Sequence, residues 1–181
     1  MDAEDTAGQL AAVLGAHLGR LAFADRGTDD VTELLIAATV EWARGRGWRA
    51  YRRAASVVPL PPPYERQFSV VDVGIARPGA APVVVEVDHA DRRRTLDKLA
   101  AEAAAGRVAL WVRWGAGRLI PPPPPVVLVP FPVISRRGPS GARVHSHTAN
   151  TGRPAPAHTE PVGAYTPEPM TLTPDPEGHS A

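Results

Sequence analysis

The stretch FSVVDVGIARPGAAPVVVEVD, residues 68–88, contains two β-rich runs that a turn separates. The turn signal is the Pro78-Gly79 pair, because proline presets the backbone for a turn and glycine tolerates its geometry. Residues 68–76 and 82–88 are therefore predicted to pair as an antiparallel hairpin. Since side chains alternate along a strand, each run has one apolar face and one face that carries acids.

The register of this hairpin decides whether its acids meet. With a loop centred on Gly79, Asp72 lies directly opposite Glu86, and Asp88 shares their face. A two-residue turn would place Asp72 opposite Val85, where burying a carboxylate against valines is costly. The sequence therefore predicts three converging carboxylates on one face. The opposite face is predicted to be buried and to consist of Val71, Val73, Val85 and Val87.

Two interpretations of the acidic face are open. Opposed carboxylates repel each other, so their convergence favours a bound hard cation such as Mg²⁺ or Mn²⁺. The alternative is a solvated polar face that keeps a half-exposed sheet soluble. The near absence of Lys, Ser or Thr between the acids favours the cation.

The remaining ordered region supplies helices and strands around this hairpin. Apolar residues at helical spacing predict a helix near residues 6–23 and a second one between Asp29 or Asp30 and Gly45. A strand is predicted over residues 48–58, a helix over 91–106 and a buried strand over 107–114. The fold class is therefore α/β, a mixed sheet flanked by helices, in which the third helix implies a crossover and parallel pairing.

The amino-acid composition excludes several classes of protein. The 181 residues include 44% hydrophobic residues, enough for a core, and no Cys, which excludes disulfide scaffolds and thiolate metal sites. A net charge of +1 excludes the diffuse positive field of a protein that coats nucleic acid. The acidic start and the absence of a long apolar run predict a soluble, cytoplasmic protein with no membrane partner.

Proline marks the predicted domain boundaries. Fifteen of the 21 prolines lie in residues 119–181, where five consecutive ones favour an extended segment. Pro130 and Pro132 restrict the following apolar run to the edge of a sheet. We expect an N-terminal helix (1–27), an α/β core (28–118), a proline-rich extended segment (119–134) and a disordered tail (135–181).

Residues 28–115 resemble the PD-(D/E)XK nuclease superfamily, which has the restriction-endonuclease-like fold. That family orders a helix, three antiparallel strands, a crossover helix and a fourth strand, with Asp on the second strand and Glu-x-Lys on the third. Asp72 and Glu86-Val87 match the start of this pattern. The resemblance implies Mg²⁺- or Mn²⁺-dependent hydrolysis of DNA, with Asp72, Glu86 and Asp88 as metal ligands and Glu33 as an additional acid. For Glu33 the alternative is a first-turn residue stabilised by the helix dipole.

Asp88 occupies the position where that family has its lysine. An acid cannot stabilise an anion, although it can bind a metal or act as a base. Lys98 is the only lysine of the chain, and it shares a helix face with Asp91 and Arg94. It is the candidate replacement, and the alternative is a surface ammonium balanced by Asp97 and Glu102.

Charge supports a polyanionic partner. Residues 42–66 hold six arginines and one glutamate, and Arg92, Arg93 and Arg94 directly follow the acidic strand. These three are candidate phosphate-binding residues, unless they only pair with the acidic helices.

Three functions compete. The first is a Mg²⁺-dependent DNA endonuclease with Asp72, Glu86, Asp88 and Lys98 as catalytic residues. The second is a catalytically inactive nuclease-like module that binds nucleic acid or, through its proline-rich tail, a protein. The third is an α/β adaptor without a nucleic-acid role.

Overall fold

The computed structural model describes residues 3–149, which form three helices and eight strands. Their bounds are α1 (Ala3–Leu18), β1 (Phe23–Arg26), α2 (Thr28–Gly45), β2 (Arg49–Pro59), β3 (Phe68–Ala76), β4 (Val83–Asp88), α3 (Arg93–Ala104), β5 (Val108–Gly115), β6 (Val127–Pro132), β7 (Ile134–Arg137) and β8 (Arg143–His147).

Five strands form the main sheet in the order β2-β3-β4-β5-β6. The first three strands pair antiparallel, whereas β4, β5 and β6 pair parallel. Helix α3 connects β4 to β5, so the predicted crossover with parallel pairing is confirmed. The predicted mixed sheet flanked by helices is confirmed as well.

Each face of the main sheet packs against helices. One face meets α1 and α2 in an apolar cluster that includes Leu14, Leu18, Val31, Leu35, Val73, Val85, Val112 and Trp114. The other face meets α3 in a smaller cluster of Val71, Val84, Leu99, Ala109, Trp111 and Val126. Burying one such Leu or Val side chain contributes roughly 1.5–3 kcal/mol, so these two clusters are the main source of stability.

The predicted edge position of the proline-containing strand is confirmed. Strand β6 lies at the end of the main sheet and pairs with β5. Its Val129 and Phe131 are buried, whereas Pro130 and Pro132 are exposed. The prolines thus lie where a missing backbone donor costs little.

The prediction that disorder begins at residue 135 is wrong for residues 135–147. Strands β7 and β8 pair with β1 in a three-stranded antiparallel sheet with the order β1-β8-β7. Strand β1 itself lies inside the region predicted as an N-terminal helix. The remainder of the predicted tail, residues 150–181, lies outside the described residues, as does its predicted role in binding a protein.

His145 anchors this second sheet. Its buried ring contacts Ser135 Oγ at 2.8 Å and Thr28 Oγ1 at 3.2 Å, and it meets the Trp114 ring edge-on. Burial lowers the pKa of His145. The neutral imidazole therefore joins β8 to the start of α2 and to the main sheet.

The hairpin register is confirmed, with a reversal of the side-chain pattern at one end. Val73 pairs with Val85 and Gly74 with Val84, as expected for a loop centred on Gly79. However, Arg53 on β2 has a φ of 52°, a left-handed conformation that interrupts the alternation of side chains. On β3, Val71 packs on the α3 side and Val73 on the opposite side, so the prediction that these two valines share a face is wrong.

A fully buried carboxylate fixes α3 to β2. Glu102 accepts hydrogen bonds from Ser56 Oγ at 2.5 Å and Val57 N–H at 2.8 Å. Arg107 donates a third at 2.8 Å and neutralises the charge. Because every buried oxygen has a partner, Glu102 can be buried without a large penalty.

None of the described helices is long and apolar enough to cross a membrane.

Gly74 is predicted to be required where β2 and β3 approach each other. A Cβ at this position would lie 2.6 Å from the Cβ of Ala54, so Gly74→Ala should destabilise the fold by roughly 1–3 kcal/mol. Adding Ala54→Gly should recover part of that loss, which urea unfolding of both single variants and the double variant can measure. Gly8→Ala, in open space on α1, is the control and should not destabilise. Additive losses in the double variant would show that this contact is not the cause.

Candidate functional site

A polar cleft of about 560 Å³ lies at the carboxyl end of β4, beside the first turns of α2 and α3. The main sheet changes from antiparallel to parallel pairing at this strand. All of the sequence-predicted site residues line the cleft except Arg93. They are Glu33 from α2, Asp72 from β3, Glu86 and Asp88 from β4, and Arg92, Arg94 and Lys98 at and within the start of α3.

Asp72 lies where the hairpin ladder ends. Its paired neighbours are Val73 and Val85, so the register places Asp72 opposite Glu86, one step beyond the last backbone pair. The Asp72 Oδ2 atom accepts a hydrogen bond from the Val87 N–H at 2.8 Å. The carboxylate thereby takes the place of a strand partner, and the two strands separate at this point.

Glu86 is only 6% exposed, and its carboxyl group is the most perturbed acid of the cleft. Burial raises the pKa of Glu86 to about 7, and the negative charge of Asp72 adds to the rise, while Lys98 opposes it. Burial also raises the pKa of Asp72. Hydrogen bonds with the Val87 N–H and with Glu86 oppose this rise. Burial therefore raises the pKa of both carboxyl groups, and that of Glu86 reaches neutral pH.

Lys98 reaches this pair from α3. Its Nζ forms an ion pair with Glu86 Oε1 and donates a hydrogen bond to the Val70 carbonyl at 2.6 Å. The two acids of the alternative interpretation are engaged elsewhere, because Asp97 lies 3.9 Å from Arg93 and Glu102 binds Arg107. The alternative of a surface ammonium balanced by those acids is wrong.

Asp88 is held by other groups. Its Oδ2 accepts a hydrogen bond from Trp111 Nε1 at 3.2 Å, and Arg92 Nε lies 3.9 Å from its Oδ1. In residues 3–149, no group of three or more acidic or histidine side chains is arranged as a set of metal ligands. The geometry thus brings together Asp72 and Glu86 as a pair, with Asp88 at their side.

The Asp72–Glu86 pair suits a hard divalent cation. Carboxylate oxygens are the ligands that Mg²⁺ and Mn²⁺ prefer, and Mg²⁺ commonly binds through one or two carboxylates together with water and substrate phosphates. The buried Glu86 Oε1 is ion-paired with Lys98, so a cation would bind the carboxylate pair beside this ammonium. The residues present therefore fit Mg²⁺ or Mn²⁺ through two protein ligands.

The other predicted residues lie around the rim of the cleft. Glu33 forms an ion pair with Arg52 on β2. Arg92 and Arg94 line the cleft, whereas the side chain of Arg93 is 94% exposed and faces Asp97. Two of the three candidate phosphate-binding arginines are thus positioned for a ligand in the cleft.

Sequence reasoning missed two titratable side chains that line the cleft. Asp29 belongs to the first turn of α2 and adds a further acid, and His89 follows Asp88 at the end of β4. The His89 ring lies 5.6 Å from the Trp114 ring. The position of His89 could have been predicted from the sequence, because a polar residue directly after a buried strand lies at the same sheet edge as the acids.

Stability should depend on pH through Glu86. Its pKa rises from an ordinary value of 4.5 to about 7 on folding, so the folded protein binds more protons than the unfolded chain between these values. The free energy of unfolding should therefore fall as pH rises through this window, by a few kcal/mol at most, and level off above it. Glu86→Gln should remove this fall. Urea unfolding of both proteins from acidic to mildly alkaline pH checks it, and parallel profiles would contradict the assignment.

Comparisons with known proteins find no matching family model, no matching curated protein and no matching solved structure.

Proposed function

We propose that this protein is a Mg²⁺- or Mn²⁺-dependent phosphodiesterase that cleaves DNA. The observation that carries the proposal is the meeting of Asp72, Glu86 and Lys98 in one cleft, each from a different element. Two carboxylates for a cation and one ammonium for a phosphate are the groups that metal-assisted phosphodiester hydrolysis requires.

Asp72 and Glu86 would hold the cation. Bound there, it would supply a Lewis acid for a phosphoryl oxygen and a water of lowered pKa. Burial, with a smaller contribution from the negative charge of Asp72, raises the pKa of Glu86, and a bound cation would offset both effects. Asp72 is additionally fixed by the Val87 N–H, so little reorganisation is needed.

Lys98 would stabilise the negative charge that develops on the phosphate. Its ammonium is held by the Val70 carbonyl as well as by Glu86, so it stays in the cleft when the carboxylate binds a cation. This placement compensates for Asp88 at the position where the PD-(D/E)XK family has its lysine. The element order α2, β2, β3, β4, α3, β5 and the antiparallel-to-parallel pairing support the same resemblance.

Asp88 and the arginines would serve the substrate. Asp88 lies beside Arg92 and is itself oriented by Trp111, so it can hold that guanidinium at the rim of the cleft. Arg92 and Arg94 can then bind the phosphates that flank the scissile one. Glu33, paired with Arg52, is a candidate for holding the opposite rim.

One observation favours a catalytically inactive module as a second candidate. The Lys98 ammonium already contacts Glu86, so it can neutralise the carboxylate pair in the place of a metal ion. In that case the cleft would bind a phosphate or an acidic partner without cleaving it.

Cleavage should require Glu86 and Lys98. Purified protein with Mg²⁺ or Mn²⁺ should cleave plasmid or single-stranded DNA, and Glu86→Gln or Lys98→Met should each lower the rate by about 10²–10³-fold. Arg93→Ala is the matched control, because Arg93 lies on the same helix but outside the cleft. Electrophoresis of the products under EDTA and metal conditions gives the readout. Absence of metal-dependent cleavage in the wild-type protein would favour the inactive module.

Divalent cations should also stabilise the fold. The carboxylate pair gains more from a cation when folded than when separated in the unfolded chain, and a cation at ten times its Kd contributes about 1.4 kcal/mol. Thermal unfolding in millimolar-range Mg²⁺ should therefore shift upward, and Asp72→Asn or Glu86→Gln should abolish the shift. Na⁺ at matched ionic strength controls for screening. Equal shifts of the unfolding temperature with Mg²⁺ and Na⁺ would contradict a specific metal site.

A further inference from the structure

Two exposed aromatic residues lie close in sequence to Ser69 and Val70, which line the cleft. Among the residues the structure describes, the large exposed aromatic side chains are Tyr51, Tyr64 and Phe68, with exposures of 51%, 57% and 57%. Tyr64 lies in the connection between β2 and β3, and Phe68 is the first residue of β3; the two are here called the aromatic pair. Exposed rings of this size offer flat apolar faces to a ligand.

Backbone hydrogen bonds define the loop that carries the aromatic pair. Leu60 N–H donates to Gln67 O at 2.8 Å and closes the loop, and Gln67 N–H donates to Tyr64 O at 2.8 Å within it. Phe68 begins β3 and pairs with Pro59. Two residues later Val70 lines the cleft and binds Lys98 through its carbonyl. The loop is thus joined to the cleft by a short run of strand.

A groove connects the loop with the cleft. It has a volume of about 720 Å³ and lies between the loop and α3, with Leu60, Pro61 and Glu65 on one side and Ala101 on the other. Its lining residues Ser69, Arg94 and Lys98 also line the cleft. A chain lying in the groove would therefore reach the Asp72–Glu86 pair.

Three arginines, one on β2, one in the loop and one on α3, lack acidic partners within the described residues. Arg53 on β2, Arg66 in the loop and Arg94 on α3 form no ion pair within residues 3–149, although seven other ion pairs occur there. Residues 42–66 hold six arginines against one glutamate. Their positive charge is complementary to a phosphate backbone.

Aromatic faces beside unpaired arginines favour one ligand class. Single-stranded nucleic acid binds by stacking its bases on aromatic side chains while cations follow its backbone. In a duplex, the base faces are already stacked and cannot reach such rings. A protein partner would use the aromatic pair but would leave the arginines without a purpose.

We propose that the aromatic pair and the groove bind a single strand of nucleic acid, with its bases on Tyr64 and Phe68 and its phosphates toward Arg66 and Arg94. The strand leads from the loop along the groove into the cleft. Where this names the substrate of the cleft, it rests on the proposed function. The binding itself does not depend on cleavage.

Binding is measured with the full chain and a fluorescent oligothymidylate of about 12 nucleotides in EDTA, where cleavage cannot occur. Tyr64→Ala and Phe68→Ala should each raise the Kd about tenfold, and Phe68→Tyr should restore binding because it keeps a stacking face. Both residues are exposed, so these variants should fold. Tyr51→Ala is the matched control, since Tyr51 is equally exposed but lies at the opposite end of β2, paired with Gly74.

The outcomes separate this proposal from the proposed function. Two comparisons are critical: the affinity for a duplex of the same length, and the Kd of Phe68→Ala. Equal affinity for duplex and single strand, or an unchanged Kd for Phe68→Ala, would overturn the proposal. Binding that depends on the aromatic pair without metal-dependent cleavage would support it and reject the phosphodiesterase. Metal-dependent cleavage together with binding that neither ring affects would support the phosphodiesterase and reject this proposal.

Discussion

The hydrogen bond from the Val87 N–H to the Asp72 carboxylate is the constraint on which the cleft depends. A continuous β3–β4 ladder would pair these strands to their ends and leave no space between them. Because a side chain takes the ladder's donor, β3 diverges while β4 continues to its last acid. The neighbouring strand β2 stays in register with β3 on both sides of Arg53, whose backbone is left-handed. The interruption of the β3–β4 ladder at Asp72 therefore opens the sheet and places an acid at the opening.

Much of this arrangement could be predicted from the sequence because it follows from periodicity. The alternation of valines and acids, together with the turn at Gly79, determined the register that places Asp72 opposite Glu86. The order of helical and strand patterns likewise implied the crossover through α3. The prolines of β6 confined that strand to an edge for a simple reason, the missing backbone donor.

The parts that escaped prediction depend on long-range contacts. Nothing local to Val71 distinguishes it from Val73, so its position on the α3 side could not be foreseen. The sequence of strand β8 is mostly polar, and the strand is ordered by contacts with other elements. Its His145 contacts Thr28 through one ring nitrogen and Ser135 through the other. Asp88 was grouped with the other acids because the sequence does not reveal that Trp111 would donate to it. In each case a tertiary partner, absent from any short window of sequence, decides the outcome.

The position of Lys98 has a chemical consequence beyond the cleft. It carries the only lysine ε-amine in the chain, and that amine lies against the buried carboxyl of Glu86. Acylation or any other lysine-directed modification, enzymatic or synthetic, thus has one side-chain target in this protein. Neutralising that target would leave Glu86 buried without its counter-charge. The reactivity of a single amine would therefore report on whether the carboxylate beside it is protonated, ion-paired or engaged by another ligand.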